Sequence, residues 1–159
     1  MSHWLFKHLS LGRRKKEGFK KAFTLVELLI TVAIMGTLAA IAIPQYTSYK
    51  DNQNNTTATI DIRNIESQIE RFRALNSGTP PATLAAANIA TTNDPWGHAY
   101  IYGNPPTRWD KHNKPINKDY DLLSMGKDGQ TALQLWQTKA FDDIIRCNNG
   151  AYIGLGSQY

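Results

Sequence analysis

The sequence predicts an α+β protein in which one long N-terminal helix packs on a small antiparallel sheet. Three observations predict this class. Residues 23–43 form an apolar stretch of helical length, residues 44–76 carry apolar side chains at helical spacing, and residues 77–159 contain short strand-like segments between turns rich in Gly, Pro and Asn. Because helix and strands do not alternate, the α and β parts are expected to be segregated along the chain.

Residues 1–22 form a basic leader. They hold seven Lys or Arg against one Glu, whereas residues 23–159 carry a net charge of −1, so the net charge of +5 comes from the leader. Positive charge just before an apolar span orients that span with its basic side in the cytoplasm. This topological role is favoured over a nucleic-acid-binding patch, and no nucleic-acid partner is expected.

Residues 23–43 predict a membrane-spanning helix. At ~1.5 Å per residue, 21 residues are about 32 Å long, which matches a bilayer core. Glu27 is the one ionisable side chain of this stretch, and a charge inside hydrocarbon costs about 2.5–3.5 kcal/mol. Cleavage between Ala22 and Phe23 would create a partner for it, because the new α-amino group lies about one helical turn from Glu27 and can also meet the carboxylate of a staggered neighbouring helix.

The order of these features resembles a known signal. A basic leader, the small Ala22, and then Phe-Thr-Leu-Val-Glu at the start of an apolar helix resemble the N-terminus of type IV pilins and of the pseudopilins of type II secretion. The resemblance implies cleavage between Ala22 and Phe23 by a prepilin peptidase, methylation of Phe23, an assembly role for Glu27 and a helix kink at Pro44. Ala22 departs from the glycine that the family nearly always has before the cut.

A second interpretation of the N-terminus is an ordinary secretory signal. Ala40-Ile41-Ala42 follows the apolar run and resembles an A-x-A cleavage site, which would release a soluble domain beginning at Ile43. The length of the apolar run and the presence of Glu27 favour the membrane-anchored alternative.

Residues 44–76, which we call the stem, predict a soluble continuation of the helix. Apolar residues recur there at steps of three and four, which defines one helical face: Ala58, Ile62, Ile65, Ile69 and Phe72. Pro44 removes one backbone hydrogen bond and is expected to bend the helix. Gly78 and the pair Pro80-Pro81 are expected to end it.

Residues 77–159, which we call the head, predict three short strands at 98–102, 120–124 and 151–155 and a C-terminal loop. With 83 residues the head is small, so its core alone would be only marginally stable. Cys147 is the single cysteine, which excludes an intramolecular disulfide. A buried, inert thiol is favoured over an intersubunit disulfide. Most of the aromatic residues near Trp96 are expected to pack in the core.

Three head segments resemble the major pseudopilin of type II secretion: Asp94 to Gly97, Ser124 to Gly129, and Asp142 to Ile144. The resemblance implies calcium in the loop after the last common strand. Its ligands would be Ser124, Asp128, Asp142 and Asp143, and such oxygen donors suit this ion. Residues 129–141 lack the glycine-rich, acidic character usual in that loop, and the tail after Asp143 is longer than usual. A solvated turn is the alternative.

The resemblance implies a structural subunit of a type II secretion pseudopilus that supports the export of folded proteins. The alternative within this architecture is a type IV pilin for adhesion, motility or DNA uptake. Implied partners are further copies of the chain, the prepilin peptidase, minor pseudopilins and an inner-membrane assembly platform. The implied location is the inner membrane, crossed once with a cytoplasmic N-terminus and a periplasmic head, and then a periplasmic pseudopilus or a surface pilus. No nucleophile with a positioned base and no phosphate-binding glycine loop is visible, so an enzyme is not expected.

Overall fold

The computed structural model describes residues 22–90 and 93–159. The predicted leader therefore lies outside the described residues, apart from Ala22. The chain divides into two compact units, Met1–Ala42 and Ile43–Tyr159. Within the described residues, the α-helix is α1 (Leu25–Leu75), and the strands are β1 (Ile101–Gly103), β2 (Asp121–Ser124), β3 (Ile144–Cys147) and β4 (Tyr152–Leu155), with four short 3-10 turns between and after them.

The first part of α1 is the predicted membrane helix. Among the described residues, α1 is the one helix long and apolar enough to cross a membrane, with a mean hydropathy of 2.3 over its most apolar 18 residues. None of these residues is buried. A helix that is apolar on all sides and uncovered by the rest of the described residues needs lipid or other helices around it.

The stem confirms the predicted apolar face. Ala58, Ile62, Ile65 and Ile69 are buried, whereas Phe72 is only partly buried. The helix ends at Leu75, and the N–H of Gly78 donates to the carbonyl of Arg73 at 2.8 Å. Ser77 and Gly78 adopt positive φ angles of 54° and 81°, a common way to close a helix C-terminus. The helix continues through Pro44, and the bend expected there stays a prediction.

The four strands form one antiparallel sheet in the order β1-β2-β3-β4, which confirms the predicted antiparallel head. The predicted first strand at 98–102 was placed too early, because Ala99 makes only an isolated bridge with Asn93. Strand β3 was not predicted from the sequence. Its residues directly follow Asp142 and Asp143, which were interpreted as part of a ligand-binding loop. It also contains a charged residue, Arg146, which is nevertheless buried and only 1% exposed.

Both faces of the sheet are buried. Successive side chains of a strand point to opposite faces, and adjacent pairs such as Leu122 and Leu123 divide between two core clusters. The cluster against the stem contains Ala58, Ile62, Ile65, Ile69, Ile89, Tyr100, Tyr120, Leu122, Ile144 and Ile153. The cluster on the other face contains Ile116, Leu123, Leu135, Ala140, Ile145 and Cys147. Residues 129–141 supply two members of the second cluster and so help to cover that face.

Polar contacts join the stem to the sheet. The hydroxyl of Tyr100 donates to Asp61 at 2.8 Å, and the hydroxyl of Tyr120 donates to Glu70 at 3.2 Å. Between these contacts, the Nε of Arg146 donates to Glu66 at 2.6 Å.

The Arg146 guanidinium has further partners. It makes two bonds of 2.9 Å to Asp119 and lies 3.9 Å from the ring centre of Tyr120. These contacts satisfy a charge that would otherwise be costly to bury.

We expect Arg146→Met to lower the free energy of unfolding by about 3–5 kcal/mol, because it leaves Glu66 and Asp119 without their buried partner. Urea unfolding of the full chain in detergent, followed by tryptophan fluorescence, measures this change. The matched control is Lys127→Met, since Lys127 pairs with Asp51 at 2.8 Å on the surface. Its loss is expected to stay below about 1 kcal/mol. Equal losses in the two variants would contradict the role given to Arg146.

Candidate functional site

The predicted assembly residue Glu27 lies at the very start of α1. The N–H and the hydroxyl of Thr24 donate to Oε2 of Glu27 at 2.9 and 2.8 Å. In return, the N–H of Glu27 donates to the Thr24 hydroxyl at 3.2 Å. This reciprocal pair is a capping box, in which a Thr at the N-cap and a Glu three residues later satisfy free backbone donors.

This cap was not predicted from the sequence, although the Thr-x-x-Glu pattern of Thr24 and Glu27 was its signal. The cap gives Glu27 a role within one chain and holds its carboxylate at the helix start. The described hydrogen bonds engage Oε2, which leaves Oε1 open. Phe23 directly precedes the cap, and its side chain is 75% exposed. An α-amino group created at Phe23 would therefore lie beside this carboxylate.

The apolar side chains that follow Glu27 are uncovered. The exposed large side chains of this stretch are Leu28, Leu29, Ile30, Val32, Ile34, Met35, Leu38, Ile41 and Ile43, all more than half exposed. An exposed apolar surface of this extent marks contact with a membrane or with other proteins. The N-terminal site is thus a helix that needs partners, with one positioned carboxylate at its start.

In the head, one buried carboxylate joins two of the segments that carry the family resemblance. Oδ1 of Asp94 accepts the N–H groups of Trp96 and His98 at 3.1 and 2.8 Å. Its Oδ2 accepts the hydroxyl of Ser124, and that hydroxyl accepts the N–H of Gly126 at 3.1 Å. The Ser124 side chain, predicted as a calcium ligand, therefore has a structural role in closing this turn.

Asp128 and Asp142, both predicted as calcium ligands, lie close to each other. The N–H of Asp128 donates to Oδ2 of Asp142 at 2.9 Å. Gly126 permits this approach, because it has a φ of +62° and a side chain there would overlap the main-chain oxygen of Asp142. Asp128 is exposed and Asp142 is partly exposed, so both carboxylates can reach an ion from solvent.

Asp143 is turned into the head. It is fully buried, its Oδ2 accepts the hydroxyl of Thr131, and the same oxygen lies 3.8 Å from Nη1 of Arg108. Burial raises the pKa of Asp143 to about 7. Arg108 is 5% exposed and also donates to Thr131 at 2.9 Å and to the carbonyl of Ala132. A guanidinium therefore already lies beside this carboxylate.

The donor set fits calcium only in part. Among residues 22–90 and 93–159, no three His, Cys, Asp or Glu side chains are grouped to hold a metal ion. Oδ1 of Asp143 is buried without a hydrogen-bond partner among the described residues, and Asp128 and Asp142 supply carboxylates nearer the surface. Calcium takes six to eight oxygens, so main-chain carbonyls and water would have to supply the others. Calcium binding stays a prediction.

The remaining candidates for chemistry belong to the core or to turns. Cys147 is a free, buried thiol, as expected, and burial raises its pKa to about 12. A protonated, buried thiol is a poor nucleophile. Tyr100 is in the core, as expected, whereas Trp109 is 40% exposed. His98 lies partly buried with Nδ1 at 3.1 Å from the carbonyl of Gly126.

Comparison with known proteins shows similarity at the N-terminus and over most of the chain. Residues 13–43 match the prokaryotic N-terminal methylation motif. The chain is 30% identical over 140 residues to the type II secretion system core protein G of Pseudomonas aeruginosa, an alignment that covers 76% of this chain and 89% of that protein. It is 27% identical over 131 residues to the protein of the same name from Escherichia coli, covering 70% and 84% of the two chains.

A shorter similarity links the chain to a fimbrial protein. It is 35% identical over 75 residues to the fimbrial protein of Neisseria meningitidis serogroup B, which covers 47% of this chain and 44% of that protein. No solved structure matches the chain.

Proposed function

Because this chain belongs to the family of the type II secretion system core protein G, we propose that it is a structural subunit of a type II secretion pseudopilus and supports the export of folded proteins. The observation that carries this function is an exposed apolar helix that begins with a capped glutamate, inside the stretch that matches the N-terminal methylation motif. Its role is to assemble with other copies and not to catalyse a reaction.

Assembly proceeds through α1 after cleavage between Ala22 and Phe23 and methylation of Phe23. The apolar helices of neighbouring subunits bury their exposed side chains against one another. The Thr24 cap holds the Glu27 carboxylate at the helix start, so that Oε1 accepts the N-terminal amine of a staggered neighbour. The pair lowers the cost of placing either charge in an apolar environment, and losing one partner would leave the other charge uncompensated.

The precursor is anchored in the inner membrane by one span. Its basic leader lies in the cytoplasm and its head in the periplasm, as positive charge before an apolar segment favours. The prepilin peptidase then acts on the cytoplasmic side. The mature subunit meets the assembly platform in the membrane and the minor pseudopilins in the periplasmic pseudopilus.

A type IV pilin is the second candidate function, and the fimbrial similarity supports it. That similarity covers less than half of this chain, whereas the similarity to the core protein G covers 76% of it. The longer match favours the pseudopilus.

We also propose that the loop between β2 and β3 binds calcium through Asp128 and Asp142. This proposal is supported by the proximity of Asp128 and Asp142, by their access to solvent, and by Gly126, whose lack of a side chain lets the two segments approach each other. Bound calcium would neutralise two neighbouring carboxylates and tie the turn at Asp128 to the residues just before β3.

We expect Glu27→Gln to be cleaved and inserted but to form few filaments. Glutamine preserves the capping box, because its side-chain oxygen also accepts from Thr24, but it removes the charge that pairs with the amine. The matched control is Thr24→Ala, which weakens the cap and keeps the carboxylate. Shear fractionation of cells, with immunoblotting of the filament fraction, measures assembly.

A normal filament yield from Glu27→Gln would contradict the charge-pairing model. Loss of filaments from Thr24→Ala alone would show that the cap, and not the charge, is the requirement. Both variants are first checked for cleavage by the size of the mature band.

For calcium, we expect the thermal midpoint of the mature chain in detergent to be higher with calcium than with chelator. Asp128→Asn and Asp142→Asn should abolish this difference, because each removes one of the two carboxylates. Asp110→Asn is the matched control, since Asp110 lies in a separate turn, where its Oδ1 accepts the backbone N–H groups of His112 and Lys114. Identical thermal midpoints for the wild-type chain with calcium and with chelator would contradict the proposal that it binds calcium.

A further inference from the structure

A buried ion pair lies beneath the surface carboxylates of the loop between β2 and β3. Asp143 and Arg108 are 0% and 5% exposed, and Nη1 of Arg108 lies 3.8 Å from Oδ2 of Asp143. Asp128 and Asp142 lie nearer the surface. The carboxylates that the resemblance implies as calcium ligands are therefore split between an outer pair, Asp128 and Asp142, and one inner carboxylate that already faces a cation.

The main chain at Arg108 is fixed to the sheet. Oδ2 of Asp121, in β2, accepts the N–H groups of Thr107 and Arg108 at 2.7 and 3.1 Å, and Asp121 is buried. The carbonyl of Arg108 accepts the N–H of Ile116 at 3.1 Å. The side chain of Arg108 therefore starts from a fixed position beside the sheet.

The guanidinium of Arg108 holds the loop at three points. Its Nη1 donates to the hydroxyl of Thr131 at 2.9 Å and to the carbonyl of Ala132, and it lies at ion-pair distance from Asp143. The Thr131 hydroxyl donates in turn to Oδ2 of Asp143. One side chain thus joins the interior of the loop to its last residue before β3.

The Asp143 carboxylate needs a cation beside it, because a buried charge without a partner is strongly destabilising. Within residues 22–90 and 93–159, Arg108 is the cationic side chain at ion-pair distance from Asp143. The guanidinium would repel a divalent ion at the same carboxylate, since like charges interact strongly where water is excluded. Arg108 and calcium therefore compete for Asp143.

We infer that Arg108 is a built-in cation of this loop, which takes Asp143 out of the implied calcium set and lets the head fold without bound metal. Calcium at the outer pair, as proposed above, then adds stability but binds weakly, because calcium affinity depends on the number of charged ligands. Loss of the guanidinium returns Asp143 to the set. Its Oδ1 is buried without a hydrogen-bond partner among the described residues, so this oxygen is left to accept an ion.

The inference rests on the proposed calcium site for the outer pair alone, and the test compares the calcium response of Arg108→Met with that of the wild-type chain. Thermal midpoints of the mature chain in detergent are measured with calcium and with chelator. With chelator, we expect Arg108→Met to melt below the wild-type chain, because Asp143 loses its partner. With calcium, we expect Arg108→Met to recover most of this loss.

Arg146→Met is the matched control. Arg146 is also buried and pairs with two carboxylates, but these are Glu66 and Asp119, outside the loop. Its variant should also melt earlier than the wild-type chain, yet calcium should raise its midpoint no more than it raises that of the wild-type chain. Calcium titration by calorimetry should show roughly tenfold tighter binding for Arg108→Met, since a third carboxylate joins the set.

The double variant Arg108→Met/Asp143→Asn separates loss of the pair from loss of packing. We expect it to melt at a higher temperature with chelator than Arg108→Met alone, because it leaves no buried charge unpaired. It should also lose the tighter calcium binding.

The inference is overturned if calcium raises the midpoint of Arg108→Met no more than that of the wild-type chain, or if this variant stays unfolded with calcium. It is also overturned if the double variant with chelator is no more stable than Arg108→Met. A wild-type response to calcium would leave the proposed outer site intact in these cases. A response of Arg108→Met with none from the wild-type chain would support the inference and contradict the outer site alone.

Discussion

The apolar half of α1 is left uncovered by the other residues that the structure describes, and the other features of the molecule depend on this constraint. At roughly 25 cal/mol per Å² of apolar surface, a fully exposed helix of this length is tolerated only in a membrane or among other helices. Glu27 is the one charge at its start and needs a positive partner there. In the proposed mechanism, cleavage before Phe23 would create that partner at the same end of the helix, so anchoring, processing and assembly would all use the same few residues.

The head meets the opposite requirement, because it must remain folded outside the membrane with only a small sheet. It does so by burying both sheet faces, one under the stem and one under loops that include residues 129–141. Buried charge also contributes, since Arg146 joins the stem to the sheet and Arg108 lies beside Asp143.

The sequence predicted the parts of the structure that depend on local patterns. The spacing of Ala58, Ile62, Ile65 and Ile69 predicted the buried stem face, and the glycine after Leu75 predicted its end. Strand β3 was missed because its role depends on contacts with residues far away in the chain, such as Glu66 with Arg146. Adjacent apolar pairs such as Ile144-Ile145 were the available signal for a sheet buried on both faces. Among the predicted calcium ligands, the order of the acidic residues does not show that Asp143 turns inward to Arg108 while Asp142 stays near the surface.

Intact mass spectrometry of the mature protein from membranes of its native host tests the central claim most directly. The assembly mechanism predicts a chain that begins at Phe23, carries one added methyl group and retains the whole of α1. A chain that begins at Ile43 would contradict it, because the apolar helix would be lost and Glu27 would have no role in the mature protein.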